Sequence, residues 1–579
     1  MSFLDVETSL TGRRWIGPDV ELSRAAELLV QRAGLPDPVC QVLARRGVSE
    51  TEAAGFLAPA LRDLLPDPRS LRDMEKAATR FLAALKSRQR IAIFADYDVD
   101  GGSSAALLLV WLRDMGHRAT LYIPDRIDEG YGPNDEAMSA LAAEHDLIIC
   151  VDCGTLSHGP IAAAKGADVI VLDHHLGGET LPEAIAVVNP NRQDEDGALA
   201  HLCAAAVVFL MLVEAGRQLR EAGAKGPDLM AMLDLVCLAT VADVAPLIGV
   251  NRAFVRQGLK VMARRARPGL AALADVARMD TAPTAYHLGY LLGPRINAGG
   301  RIGQADLGAR LLATNDPHEA AALAERLDQL NTDRREVEAA VRAGAMAQAE
   351  ERGFEGPLAW ASGPGWHPGV VGIVASRLKE ASNRPSIVIG VEDGIGKGSG
   401  RSISGIDLGA PIQRLAAEGL LMKGGGHKMA AGLTVAEDKI EAAMERLGEL
   451  LTKQGAHLAG PADLNLCGLM MPGAATVELA EMVDQAGPFG AGAPAPRYAF
   501  ADMQIRFAKR VGENHLKVSF GDGLGANLEA IAFGAYDGPL GPALENHGGA
   551  RFHLAGRLDI NNFRGRRSVQ LRLEDAAKA

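Results

Sequence analysis

Between residues 90 and 175 the chain passes through short apolar runs, and each run stops abruptly at charged residues. Ile91-Ala92-Ile93-Phe94-Ala95 is followed by Asp96, Asp98 and Asp100, Leu147 to Val151 by Asp152, and Val169 to Leu172 by Asp173-His174-His175. Continuous apolar runs this short suit strands covered on both faces. A further strand is expected at Ala119 to Ile123. Helical stretches fall between the strands: Gly101-Gly102 through Leu112, Asn134 to Glu144, and a short helix around Ala162 to Lys165. Strands alternating with helices make a parallel sheet with helices on both faces. Ligand sites in such sheets lie outside the carboxyl ends of the strands. All three acidic clusters are therefore expected at one sheet edge.

Side chains two apart share a face of extended backbone, so Asp96, Asp98 and Asp100 are expected to point the same way. Three carboxylates on one face repel unless cations sit between them. Asp243, at the end of the apolar run Leu235 to Ala242, is a fourth candidate. Carboxylates with a few imidazoles suit Mn²⁺ or Mg²⁺, and this many ligands suggest two ions. A two-metal site about 4 Å across activates a water and stabilises the leaving oxygen of a phosphoester. Any single Asp could instead be a helix N-cap or a turn residue, and Asp100 before Gly101-Gly102 fits that reading. The convergence of the clusters favours the metal site. Cys150-Val151-Asp152-Cys153 has CxxC spacing, but neither a helix start nor a second ligand pair accompanies it. The six Cys read as buried thiols of a reducing cytoplasm.

Hydrophobic residues are 48% and charged residues 23% of the 579, which excludes a chain disordered throughout. No apolar run reaches a membrane span, and Met1 to Asp5 shows no signal pattern, so a cytoplasmic protein is expected. Residues 1–60 read as a helical lead-in, and Pro59, Pro66 and Pro68 as a linker. The first α/β domain is placed at 61–315. Asp316-Pro317 with Glu319 opens a helix over 316–353, on the order of 50 Å long, that can bridge two lobes. A second α/β unit is expected at 354–455. Residues 463–579 show five strand-like runs and a helix near 536–546, the order of an OB-like barrel.

The formal charge of −12 argues against binding nucleic acid through overall charge, but not against a local basic groove. Between residues 551 and 572 lie Arg551, Arg557, Arg564, Arg566, Arg567 and Arg572 against the single acid Asp559, with Phe563 beside them. A basic face with an aromatic ring suits single-stranded nucleic acid. The alternative is a solvated edge strand.

Asp96-Tyr97-Asp98-Val99-Asp100-Gly101 and Asp173-His174-His175 resemble the first and third motifs of the DHH phosphoesterase superfamily. Glu129-Gly130-Tyr131-Gly132 and Val241-Ala242-Asp243 resemble its bacterial exonuclease branch, and the likeness runs from about residue 12 to residue 575. It implies an α/β fold with a parallel-sheet DHH lobe and a smaller α/β DHH-associated lobe joined by a long helix, plus the C-terminal OB-like barrel. It also implies a 5′→3′ exonuclease specific for single-stranded DNA, releasing 5′-mononucleotides by two-metal hydrolysis in DNA repair and recombination. The implied partners are a single strand with a 5′ end, a single-strand binding protein and a helicase. A monomer without membrane contact is expected.

By this resemblance Asp98, Asp100, Asp152, His174 and Asp243 hold the metals, with Asp152 bridging the two ions. Asp96 completes the outer site, directly or through water. His175 contacts the scissile phosphate or assists the leaving oxygen. Either Arg295 or Arg301 suits a phosphate on residue grounds, and the resemblance favours Arg301. Ser399 and Arg401, with Arg126, would bind the 5′-terminal phosphate. His427, after Gly424-Gly425-Gly426, and Arg564 of the barrel complete the DNA contacts. Departures from the family pattern are Ala204-Ala205-Ala206 for glycines, Ala493 for Asn and Ser103 for Thr. The rival readings are a phosphodiesterase for short oligonucleotides or cyclic dinucleotides, and a non-catalytic DNA-binding factor.

Overall fold

The computed structural model describes residues 2–126, 129–458, 463–563 and 565–579, so Arg564 lies outside the described residues. The chain divides into two compact units, Leu64–Gly460 and Met1–Asp63 with Pro461–Ala579.

In the larger unit the apolar runs become β1 (Ile91–Ala95), β2 (Ala119–Tyr122), β3 (Leu147–Val151), β4 (Asp168–Leu172) and β5 (Ala186–Val188). They form an all-parallel sheet in the order β2-β1-β3-β4-β5. β5 was not foreseen, because three residues carry no readable period. β1 and β3 are buried along their whole length, as strands covered on both faces must be. The strand order reverses between β1 and β3, and that switch point opens a crevice at the carboxyl ends.

The helices that position the site are α1 (Val99–Asp114), α2 (Asp135–Glu144), α3 (Ala204–Glu221), α4 (Leu233–Ala242) and α5 (Gly293–Ile302). α1 is apolar on nearly all sides because it is buried beside α3 and α4. It begins two residues before Gly101, earlier than expected. The short helix after β3 spans His158–Ala163, earlier than the expected Ala162 to Lys165.

α6 (Pro317–Arg352) starts at Asp316, whose side chain accepts from the His318 amide at 2.8 Å, and stops at Gly353. Its 36 residues span about 54 Å. Val341, Ala345 and Ala349 on its second half join the core of the second lobe with Val370, Val371 and Val374. That lobe contains β6 (Ala359–Pro364), α7 (Pro368–Ser382), β7 (Ser386–Glu392), β8 (Ile395–Arg401), β9 (Lys423–His427) and β10 (Ala430–Ala436). Its sheet order is β9-β10-β8-β7-β6, and only β6 and β7 run parallel. The glycine run at 424–426 is part of β9 rather than a loop.

The smaller unit is built on β11 (Tyr498–Val511), β12 (His515–Gly521), β13 (Asn527–Ala532), β14 (Arg551–Phe563) and β15 (Arg566–Lys578). The order β11-β12-β13-β15-β14 closes by pairing β14 with β11, giving a five-stranded OB-like barrel. A helix at Leu540–Glu545 lies between β13 and β14. The N-terminal residues are integral to this unit. Ala26, Leu29, Val39 and Leu43 share one core with Tyr498, Phe500, Phe520 and Phe552. Trp15–Ile16 pairs with Leu464–Asn465, and the Trp15 indole donates to buried Asp575 at 2.9 Å.

The folded barrel changes the charge expected of its C-terminal strands. Arg551 pairs with Asp502, Arg557 with Glu574 and Arg567 with Glu481, acids that all lie outside residues 551–572. Arg566 and Arg572 form no ion pair among the described residues. Arg572 instead lies 5.2 Å from the ring centre of the exposed Phe533. Among the described residues no helix is long and apolar enough to cross a membrane.

Candidate active site

The chain leaves β1 through Asp96, Tyr97 and Asp98. Asp98 is the N-cap of α1, and its Oδ1 accepts from the amides of Asp100 at 2.8 Å and Gly101 at 3.0 Å. Asp100 already lies in the first turn of the helix. The expected row of three carboxylates on extended backbone is therefore replaced by a strand exit, a cap and a helical residue, and the capping role belongs to Asp98. The turn is tight enough that a Cβ at Gly101 would lie 2.4 Å from the Asp96 carbonyl oxygen.

Asp100 faces the start of α3, where its carboxylate accepts from the amides of Ala204 (2.6 Å) and Ala205 (2.8 Å). Unpaired N–H groups and the helix dipole both favour an anion there. Backbone amides make these bonds, so alanines in place of the family's glycines leave them intact. Asp152 follows β3 in the left-handed region at φ 61, and its amide donates to Leu172 O at 3.0 Å. Asp243 follows α4, with Oδ2 3.9 Å from His174 Nδ1.

Three trios offer ligand atoms within 4.8 Å of one another: Asp96 with Asp98 and Asp152, Asp100 with His174 and Asp243, and Asp152 with His174 and His175. Asp152 belongs to two trios, and its Oδ1 lies 3.3 Å from His174 Nε2. Every expected metal residue thus falls into one cluster.

The donor set fits divalent cations. Oδ1 of Asp96 and Oδ1 of Asp152 are buried and accept no hydrogen bond among the described residues. Such orphaned acceptors cost roughly 1–3 kcal/mol each unless something else satisfies them. Burial, and then the neighbouring carboxylates, push the carboxyls of Asp96 and Asp152 well above the usual range. The same causes push Asp243 up to about 9. Carboxylates that raise one another's pKa in this way form a mould for cations. An oxygen-rich set with few imidazoles and no thiolate belongs to Mn²⁺ or Mg²⁺. Cys150 and Cys153 are buried thiols that burial pushes further from ionisation, and neither joins a metal trio.

Asp173 holds the histidine pair in place. Its carboxylate accepts from the amides of His174 (2.7 Å), His175 (3.2 Å) and Thr155 (3.0 Å), and lies 2.8 Å from His175 Nδ1. Burial raises its pKa, but the hydrogen bond and charge of His175 and the bonds to Thr155 outweigh that and hold it below the usual range. His175 is the complement: burial lowers it, Asp173 outweighs burial, and the imidazole rises to about 9. Asn189 and Asn191 donate to the carbonyls of His175 (2.7 Å) and His174 (2.6 Å). The sequence reading assigned no role to Asp173, Asn189 or Asn191. Two Asn just past an apolar run were the only available signal.

The expected DNA contacts divide into two groups. Arg126 lies 5.2 Å from the ring centre of Tyr97. Arg301, at the end of α5, donates to Gly369 O at 2.8 Å and so links α5 to α7. Burial, and then the charges of Arg126 and Arg334, lower it to about 10. Arg401 ends β8, and burial followed by the charge of Arg126 lowers its pKa as well. Ser399 Oγ and Arg401 Nη2 both lie 3.3 Å from the position a Cβ would take at Gly372 of α7. Arg126, Arg301, Ser399 and Arg401 therefore share one neighbourhood beside the carboxylates. His427 sits exposed at the end of β9, and among the described residues no contact places it in that group. Of the two arginines left open, Arg295 is engaged with Asp328 at 2.8 Å.

A cavity of about 860 Å³ lies between α5, α6 and α7, lined by Tyr290, Arg301, Arg334, Arg335 and Arg342 among others. Arg334 is nearly buried with its Nε unpartnered, and Arg335 and Arg342 form no ion pair among the described residues. Tyr290 is 69% exposed and stacks on Tyr286 with ring centres 5.1 Å apart. The sequence reading missed this surface. Its signal was the seven-residue spacing of Arg335 and Arg342, which puts both on one face of α6.

A parallel sheet carrying this carboxylate and histidine cluster at its switch point defines a DHH-type phosphoesterase. Residues 90–240 match the DHH family N-terminal domain, 355–453 the DHHA1 domain and 468–575 the RecJ OB domain. The single-stranded-DNA-specific exonuclease RecJ of Dickeya dadantii is 40% identical over 564 residues, covering 93% of this chain and 96% of that protein. RecJ of Escherichia coli strain K12 is 38% identical, covering 94% and 96%. The crystal structure of RecJ from Thermus thermophilus in complex with Mn²⁺ superposes with a TM-score of 0.81 at 29% identity, covering 98% of this chain and 79% of that one. The chain belongs to the RecJ family.

Proposed function

We propose that this chain is a metal-dependent exonuclease that degrades single-stranded DNA from its 5′ end and releases 5′-mononucleotides in DNA repair and recombination. One observation carries the reading. Within a single unit, a carboxylate cluster with orphaned oxygens lies beside converging cations, Arg126, Arg301 and Arg401. Asp96, Asp98, Asp100, Asp152, His174 and Asp243 would hold two ions. When bound, Mn²⁺ or Mg²⁺ supplies an acidified water and neutralises charge on the scissile phosphate. His175 keeps Nδ1 on Asp173, which leaves Nε2 to hand a proton to the leaving oxygen.

Arg126, Ser399 and Arg401 form the anchor for the 5′-terminal phosphate. An anchor beside the centre sets the direction of degradation. His427 contributes a further contact, and Arg564 one on the barrel. Arg335, Arg342 and Tyr290 line a track for the strand, because unpaired guanidiniums with an exposed ring suit a single strand of any sequence. The protein works as a cytoplasmic monomer, on strands supplied with a helicase and a single-strand binding protein.

Tyr290→Ala is expected to weaken binding of a ten-nucleotide strand about tenfold, since stacking on an aromatic ring contributes roughly 1–3 kcal/mol per base. Tyr290→Phe should bind like the wild type in fluorescence anisotropy at fixed salt. Equal weakening by both variants would remove stacking from the account.

The reading as a whole is tested by a gel time course with Mn²⁺ or Mg²⁺ on 3′-labelled single strands, blunt duplex and dinucleotides. A descending ladder from the single strand alone is expected. Cleavage confined to dinucleotides would make the chain a small-substrate phosphodiesterase, and no cleavage at all a DNA-binding factor.

A further inference from the structure

Glu129-Gly130-Tyr131-Gly132 takes no part in the chemistry described so far, yet it lies against both halves of the site. Glu129 accepts three hydrogen bonds: from the Asp125 amide (2.8 Å), the Tyr122 hydroxyl (2.6 Å) and Asn134 Nδ2 (3.1 Å). The amides of Glu129 and Gly130 both donate to Asp125 O, at 2.9 and 3.0 Å. One carboxylate thus ties the end of β2 and the residue before α2 to the turn that carries Arg126. Gly130 (φ 89) and Gly132 (φ 76) lie in the left-handed region on either side of Tyr131. A residue with a Cβ is strained there, so the paired glycines allow the chain to reverse around the tyrosine.

That reversal presents the Tyr131 ring edge-on to His175, with ring centres 5.5 Å apart. The phenol donates to the Asp152 carbonyl at 3.0 Å. Its oxygen lies 3.1 Å from His175 Nδ1 and 3.3 Å from Nε2, so it sits against the ring between the two nitrogens and limits how far the imidazole can turn. Tyr131 as a residue is 53% exposed, and it joins none of the hydrophobic clusters among the described residues. Asp173 fixes His175 through Nδ1, and Tyr131 adds a second contact to the same ring.

We infer that Tyr131 is a positioning residue that fixes the His175 ring for its role at the phosphodiester, and that Glu129 sets Tyr131 and Arg126 in register. The motif thereby couples seating of the terminal phosphate to alignment of the proton donor. This rests on the proposed anchoring role of Arg126. A misplacement of about 1 Å in such a group can cost on the order of 100-fold in rate.

The test uses the full chain loaded with Mn²⁺ and separates kcat from KM on 5′-phosphorylated and 5′-hydroxyl strands and on a 5′-phosphorylated dinucleotide. Tyr131→Phe should lower kcat by about tenfold to a hundredfold on every substrate hydrolysed, with KM and the preference for a 5′-phosphate unchanged. Glu129→Gln offers one acceptor where three donors converge. It should lower kcat similarly and also erase the 5′-phosphate preference. The double variant should be no slower than Glu129→Gln alone, because both changes act on one element. Mn²⁺ affinity by electron paramagnetic resonance and the thermal midpoint should match the wild type.

Wild-type kcat for Tyr131→Phe would overturn the inference. So would a loss of Mn²⁺ affinity that accounts for the rate, since the phenol would then act through Asp152. A phosphate preference retained in Glu129→Gln would overturn the coupling. A wild-type protein active on the dinucleotide but not on strands would defeat the exonuclease reading, and the kcat effect on the dinucleotide would still decide the role of Tyr131.

Discussion

Asp152→Asn is expected to lower kcat by about 10⁴-fold, roughly 5.4 kcal/mol of activation free energy, while single strands still bind. Asp152 is shared by two of the three ligand trios, and its Oδ1 is buried without a hydrogen bond. An amide keeps the shape but removes the charge that both trios depend on. The surfaces proposed to hold the strand lie elsewhere, on Arg126, Arg301 and Arg401, so anisotropy should show little change. Turnover surviving within tenfold would sink the two-ion assignment.

The same substitution should act in the opposite direction on stability. In protein stripped with EDTA, burial and mutual repulsion raise these carboxyls. Asp243 moves from its ordinary 3.8 to about 9. A carboxyl raised on folding favours the folded state at low pH, and that contribution disappears as pH rises toward its folded value. The thermal midpoint of the stripped protein should therefore fall between about pH 4 and pH 9. Asp152→Asn should raise it at neutral pH, and Mn²⁺ should restore the wild type, since cations favour the charged forms. A stripped wild type with a flat profile over that window would mean that the carboxylates do not strain one another.

Those carboxylates were readable in the sequence because strands covered on both faces are bare apolar runs, and the residue that ends each run is the one at the sheet edge. Their local geometry was not. The spacing of Asp96, Asp98 and Asp100 fits extended backbone, but Asp98 capped α1 and turned Asp100 into the helix. A cap depends on which amides are left unpaired, and that is fixed only when the helix start is known. Charge was misread for a related reason. Six arginines stand against one acid along residues 551–572, but Asp502 comes to them through barrel closure, Glu574 across the β14–β15 pair and Glu481 from the helix at Val477–Gln485. Strand pairing between distant segments has no local signature. The same holds for the N-terminal helices, whose apolar faces gave no sign that the barrel core would receive them. Asp173 was visible within its motif, but its role depends on Thr155 and on the direction in which the His175 ring points.

Arg401→Gln is expected to lower kcat/KM on 5′-phosphorylated strands about 100-fold, roughly 2.7 kcal/mol, and to leave 5′-hydroxyl strands nearly unchanged. The size follows from the surroundings. Charge-assisted hydrogen bonds contribute roughly 1.5–3 kcal/mol. Burial and the nearby charge of Arg126 already press on the Arg401 guanidinium, as expected of a group poised for an anion. Among the described residues, Nη1 donates to the neighbouring Gly400 carbonyl at 2.8 Å. Nη2 and Ser399 Oγ each lie 3.3 Å from where a side chain at Gly372 would begin, so the glycine leaves room between them and α7.

A guanidinium presents a planar fork to a phosphate, and an ammonium does not. Arg401→Lys should therefore recover only part of the loss, and Ser399→Ala should cost less than either, since a neutral donor is weaker. Competition experiments with 5′-phosphorylated and 5′-hydroxyl strands of one sequence would read the difference directly. Equal losses on both strands would place Arg401 along the path of the chain rather than at its end. The direction of degradation would then need another cause. Among the described residues, Arg126 is the one remaining charge of that neighbourhood not already tied to the second lobe by a hydrogen bond.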